Sequence, residues 1–210
     1  MTEISIKNTD VLYNAQEKAY TRIRNSLGKL LADAKLCGGT PLSRCYLQHR
    51  ISYDLDFFVP PMPGLMRGIH DALGSANIGF AADKMQINNA IYSNLFGKIS
   101  VSPALKIEVS FVEDRWFSTY PKLEALMGNT TIVTEPVEGQ YFRKLHTVAG
   151  QGTGEMPVGG RQTARDIFDL YVLSKTVKPL PDFLKEVTVF FPVDAFYNGL
   201  ASVKNPPLTP

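Results

Sequence analysis

Ser52-Tyr53-Asp54-Leu55-Asp56-Phe57-Phe58-Val59 alternates strictly enough to be a strand. In a strand, Tyr53, Leu55, Phe57 and Val59 project to one face, and Asp54 and Asp56 to the other. Such alternation ordinarily makes a half-buried strand with water on its polar side. Here the polar positions are two like charges, which raise each other's pKa unless something positive lies between them. A divalent cation would satisfy both. On this pattern alone the pair could equally be solvent-facing positions of an edge strand.

Working outward, a second alternating run, Leu105-Lys106-Ile107-Glu108-Val109-Ser110-Phe111, sets Glu108 on a polar face. If the two strands are neighbours, Asp54, Asp56 and Glu108 form a set of hard oxygen ligands suited to Mg²⁺. Two such ions roughly 3.5–4 Å apart serve in-line displacement at phosphorus. Ahead of the acidic run stands Gly38-Gly39-Thr40-Pro41. Pro41 suits the first position of a helix, Thr40 its N-cap, and the glycines allow close backbone approach to a phosphate held at the positive end of the helix dipole. Thr40 has a sufficient role as a cap without any ligand.

The remaining pattern gives an α+β fold: a small mixed β-sheet with helices on one side, followed by a C-terminal helical appendage. A helix is expected over Asp10 to Lys35, capped by Asp10, and another from Leu65 to Ser75. Strands are expected at Leu36-Cys37, Gly79 to Gln86, Ile91 to Ser100 and Ala104 to Val112. After Trp116, helical periodicity returns at Val137 to Ala149, Arg161 to Lys175, and Phe183 to Ala201 with a break at Pro192. The boundary is placed near Pro121, giving a core over 1–120 and a helical region over 121–210. Gly-rich residues 151–160 read as a loop and the segment from Asn205 as a frayed tail.

Composition narrows the function classes. With 22 Lys+Arg against 20 Asp+Glu the net charge is +2, too small for a basic nucleic-acid protein, so any such contact is local. Cys37 and Cys45 form no disulfide framework or zinc motif and read as reduced thiols of a cytoplasmic protein. No apolar run approaches the ~20 residues of a membrane span, and Met1 to Thr9 lacks a signal-peptide core. His49, His70 and His146 lack metal-ligand spacing. Lys144 alone reads as a helix-surface lysine, and Arg50 as either a phosphate ligand or a counter-charge to the nearby carboxylates. Arg161, Arg165 and Asp169, at four-residue steps, read as an ion-pair ladder.

Four segments taken together, Leu36-Cys37-Gly38-Gly39-Thr40-Pro41-Leu42, His49-Arg50-Ile51-Ser52-Tyr53-Asp54-Leu55-Asp56-Phe57-Phe58, Lys106-Ile107-Glu108-Val109 and Arg161 through Tyr171, resemble the AbiEii/AbiGii-type nucleotidyltransferase toxins of the DNA polymerase β-like superfamily. The resemblance spans about residues 30 to 175. It implies an enzyme that moves a nucleoside monophosphate from an NTP to a hydroxyl acceptor with Mg²⁺, two ions being expected. It further implies an RNA acceptor such as the tRNA 3′ end, in a toxin-antitoxin or phage-defence setting with a cognate antitoxin. By resemblance, Asp54 and Asp56 match the metal pair, Glu108 the third acid, and Gly38, Gly39 and Thr40 the phosphate turn, with Arg50 beside it. Lys144 matches a triphosphate-binding lysine, and Asp166 a further acid needed for activity. Pro41 in place of a small residue and the short helical part after Leu173 depart from the family pattern. A non-catalytic nucleotide- or partner-binding module on the same fold is the alternative.

Overall fold

The computed structural model describes residues 6–87, 93–149, 164–189 and 191–201. They divide into two compact units, Met1–Pro136 and Val137–Pro210. The first unit therefore extends past the expected boundary at Pro121, taking in a hairpin of β6 (Leu123–Met127) and β7 (Thr130–Thr134) that the periodicity reading does not anticipate. Its turn, Gly128-Asn129, is held by Glu17, whose carboxylate accepts the Asn129 N–H at 3.1 Å and binds Arg44 at 2.6 Å.

In the first unit a five-stranded sheet has the order β1-β2-β5-β4-β3. The strands are β1 (Lys35–Cys37), β2 (Leu55–Val59), β3 (Phe80–Ile87), β4 (Ser93–Ser102) and β5 (Leu105–Glu113). All pairs are antiparallel except β2 with β5, so the sheet is mixed. Leu55, Phe57, Ile107, Val109 and Phe111 alternate onto one face and are buried. On that face α1 (Ile6–Leu27) contributes Ala15, Ala19 and Ile23, and the helix Leu65–Ser75 contributes Met66, Ile69 and Leu73. Phe57 stacks on Tyr20 and on Phe111, with ring centroids 5.7 and 5.1 Å away. Burying an aromatic or large aliphatic side chain of this kind contributes about 1.5–3 kcal/mol.

Three local expectations are corrected. Helix α1 already runs at Ile6, so Asp10 lies inside it rather than capping it. The helix ends at Leu27 because Gly28 adopts φ +46°, and a 3₁₀ turn, Gly28–Leu31, replaces its expected continuation to Lys35. Thr40 is not an N-cap: Gly38, at φ 84° and ψ −151°, turns the chain two residues earlier, and α2 begins at Gly39. Past Pro41 this helix widens into π-type geometry over Leu42–Leu47, where the Gln48 N–H reaches back to Ser43 O. The helix Leu65–Ser75 is α3.

The second unit is helical: α4 (Val137–Ala149), α5 (Ala164–Thr176), α6 (Leu180–Val187) and α7 (Val193–Ala201). Tyr141 of α4 stacks on Phe183 of α6 at 4.2 Å, and burial pushes its hydroxyl up to about 12. His146 packs edge-on between Phe142 and Phe191. The expected loop at 151–160, the tail from Asn205, and Arg161 lie outside the described residues.

Candidate active site

The chain approaches itself closely where β1 turns into α2. Cys37 lies opposite Asp56 in the antiparallel β1–β2 register, which brings the next residue, Gly38, against the Asp56 side chain. A Cβ added at Gly38 would stand 2.8 Å from Asp56 Oδ2, and one added at Gly39 would stand 2.6 Å from Ser52 Oγ and 2.8 Å from Arg50 Nη2. The two glycines thus line a cradle walled by a carboxylate, a hydroxyl and a guanidinium. Gly38 also needs its glycine for conformational reasons, since φ near +84° is costly for any L-residue. Gly38→Ala is accordingly expected to destabilise the protein by about 1–3 kcal/mol and to displace the Asp56 carboxylate. A shift of the denaturation midpoint checks the first effect; an unchanged midpoint would refute it.

Asp56 is fixed from the other side as well. Parallel pairing sets it opposite Ser110, whose hydroxyl donates to Asp56 Oδ1 at 2.5 Å. Asp54 sits just ahead of β2, its Oδ1 accepting from Ser52 Oγ at 3.1 Å and its carbonyl accepting from Thr40 Oγ1 at 2.5 Å. The Thr40 hydroxyl thereby ties the glycine turn to the acidic run. Gln16 of α1 donates to Ser52 O at 2.9 Å, anchoring the same segment from the helix layer. Arg50 Nη1 donates to Ile51 O at 3.1 Å while Nη2 lies beside Gly39.

Glu108 shares this face, two residues before Ser110 on β5. Continuing the β2–β5 register backwards sets residue 54 level with residue 108. Its carboxylate is 68% exposed and pairs with Lys98 Nζ at 3.4 Å. Among the described residues no group of three acids, histidines or cysteines is assembled for a metal ion. The donor chemistry nonetheless fits a hard divalent cation: Asp54 and Asp56 are two residues apart, both partly exposed, and both already oriented by serine hydroxyls.

In the second unit Lys144 Nζ lies 2.8 Å from both Asp166 Oδ1 and Asp169 Oδ2. The three side chains are only 8%, 10% and 0% exposed, so the cluster is buried. This corrects two readings. Lys144 is not a surface lysine, and Asp169 belongs to no exposed ladder, since Arg165 is exposed while Asp169 is fully buried. The signal was available in the spacing of Asp166 and Asp169, which three-residue separation sets on neighbouring positions of one helix face. Ser52 and Ser110, also overlooked, can be found by asking what orients each aspartate.

Two thiols flank the turn. Cys37 donates to the fully buried Glu135 at 3.0 Å. Burial pushes Cys45 up to about 11, partly offset by Arg44, so this thiol stays protonated at neutral pH and is no nucleophile.

The site so built is a glycine turn pressed against an oriented aspartate, with a second acid two residues earlier. The family described as "Nucleotidyl transferase AbiEii toxin, Type IV TA system" matches residues 24–204. The chain belongs to the AbiEii nucleotidyltransferase toxin family. It is a nucleotidyltransferase. Among solved structures it resembles JHP933 from Helicobacter pylori at 19% identity, covering 92% of this chain and 85% of that one with a TM-score of 0.45. It also resembles an antigenic nucleotidyltransferase-like protein from Paracoccidioides brasiliensis at 14% identity, covering 94% of each with a TM-score of 0.46. No curated protein sequence matches. No helix among the described residues of this AbiEii-family chain is long and apolar enough to cross a membrane.

Proposed function

We propose that this toxin transfers a nucleoside monophosphate from an NTP to a ribose hydroxyl of an RNA, with Asp54 and Asp56 holding Mg²⁺. The observation that carries the reading is the Asp56 carboxylate clasped between the Gly38 turn and Ser110, within a chain of this family. The first N–H groups of a helix lack intrahelical partners, so the backbone at Gly39 and Thr40 suits phosphate oxygens, with Arg50 beside them as counter-charge. When bound, the cation would supply charge neutralisation of the triphosphate and a lowered pKa for the attacking hydroxyl.

The residues' own work is positional and electrostatic. Ser52 and Ser110 hold the aspartates in one orientation, and Thr40 keeps the phosphate turn in register with them. In the transfer the acceptor oxygen bonds to the α-phosphorus and the bond to the β-phosphate oxygen breaks. Pyrophosphate leaves, and the hydroxyl proton passes to a carboxylate of this face, for which Glu108 is the candidate. Lys144 and Asp166, matched by resemblance to the triphosphate lysine and a further acid, are held in their own buried cluster. A cytoplasmic setting, a tRNA 3′ end as the acceptor and a cognate antitoxin complete the proposal.

Incubation of the purified protein with each labelled NTP, Mg²⁺ and total bacterial RNA tests it. Labelled RNA and released pyrophosphate are expected with at least one NTP, and both vanish on chelation with EDTA. NTP binding that Mg²⁺ strengthens without any pyrophosphate release would instead indicate the non-catalytic module and overturn the proposal.

A further inference from the structure

The polar face of the sheet carries an exposed aromatic side chain. Phe96 on β4 is 39% exposed, whereas its neighbours in sequence, Leu95 and Gly97, are buried. The register sets it on the rung that matters: Asp56 lies opposite Ser110, and Ser110 lies opposite Phe96. Two strand spacings separate Asp56 from Phe96, about 10 Å, a span that one nucleoside bridges. One rung further on β4 stands Lys98, its side chain 43% exposed, paired with Glu108. Lys106, two residues before Glu108 on β5, is exposed on the same face.

An aromatic ring flanked by cations is the arrangement with which proteins hold single-stranded nucleic acid, the ring stacking on a base and the cations following the phosphates. The opposite face of the sheet packs on α1 and α3, and Phe96 lies outside that core among the described residues. We infer that Phe96 is the stacking platform for the terminal base of a single-stranded RNA acceptor, with Lys98 and Lys106 holding its phosphates. A base seated there carries its ribose hydroxyl toward Asp56 and Glu108. The inference rests on the proposed transfer to RNA and names the subsite that reaction uses. It also explains how a chain of net charge +2 engages RNA through a local patch.

The test uses a 5′-fluorescein single-stranded RNA of about ten nucleotides, read by anisotropy, together with steady-state transfer kinetics. Phe96→Ala and Phe96→Leu are expected to weaken oligonucleotide binding and raise the KM for RNA on the order of ten- to a hundredfold. The KM for NTP should stay within about twofold, and Phe96→Trp should restore binding. Leucine keeps apolar bulk without a π-face, so it separates stacking from simple packing even if alanine folds poorly. Equal affinity of wild type and both variants, or no binding by wild type, overturns the inference. If the oligonucleotide binds in a Phe96-dependent way while no NTP label reaches any RNA, the transfer proposal fails and the subsite stands.

Discussion

Asp56→Asn is expected to lower nucleotidyl transfer by about a thousandfold or more while leaving the fold intact. Asparagine has the shape of aspartate, and its carbonyl oxygen can still accept the Ser110 hydroxyl that now donates to Asp56 Oδ1. What it lacks is the charge. The amide NH₂ can take the place of Oδ2 beside Gly38, where it offers protons instead of lone pairs. Charge and shape are thereby separated: a large loss of rate with a melting temperature close to wild type assigns the charge to the chemistry. Transfer within tenfold of wild type would remove Asp56 from the site and with it the role of the glycine cradle.

The largest effect on stability is expected at Lys144. Its ammonium sits 2.8 Å from each of two carboxylates in a cluster that is almost entirely out of water. Lys144→Met keeps the length of the side chain but leaves Asp166 and Asp169 facing each other across the space the ammonium held. Removing one member of a buried ion cluster costs about 3–5 kcal/mol, because the remaining carboxylates lose the ammonium's counter-charge and cannot recover their water. Denaturant unfolding should show this loss, and Asp166→Asn combined with Asp169→Asn in the Lys144→Met background should recover much of it. A cost below about 1 kcal/mol would mean that the ammonium is solvated and only lightly held. Transfer kinetics on the same variant add a second reading, since a lysine that also binds triphosphate would raise the KM for NTP when replaced.

Much of the first unit was legible because its strands bury one face only. Leu55, Phe57, Val59, Ile107, Val109 and Phe111 announce the core face, and the same alternation assigns Asp56 and Glu108 to the other. The hairpin after Trp116 was not, although Gly128-Asn129 between two short apolar runs is an ordinary turn signal. Its strands are brief and half-exposed, so periodicity carries little information there. Asp169 was missed for a different reason. An arginine four residues away offers a local partner that satisfies charge patterning, whereas Lys144, which pairs with Asp169, is 25 positions distant on another helix, beyond the reach of any local rule. The start of α2 turned on one backbone angle: the preference of Thr and Pro for helix starts pointed to residue 40, and the positive φ of Gly38 won.

The parallel pairing of β2 with β5 bears on when a toxin of this kind becomes dangerous to the cell that makes it. Residues 56 and 110 meet only after α3, β3 and β4 have been traversed, and β5 inserts between strands synthesised before and after α3. Such long-range pairing comes late in folding, because the closure entropy of the intervening chain opposes it until the neighbouring strands are available. A nascent chain still attached to the ribosome with β5 unmade has the acidic run and the glycine turn but not the Ser110 hydroxyl that orients Asp56. Under the proposed mechanism, polypeptides arrested or degraded before that point would lack the oriented aspartate and transfer no nucleotide.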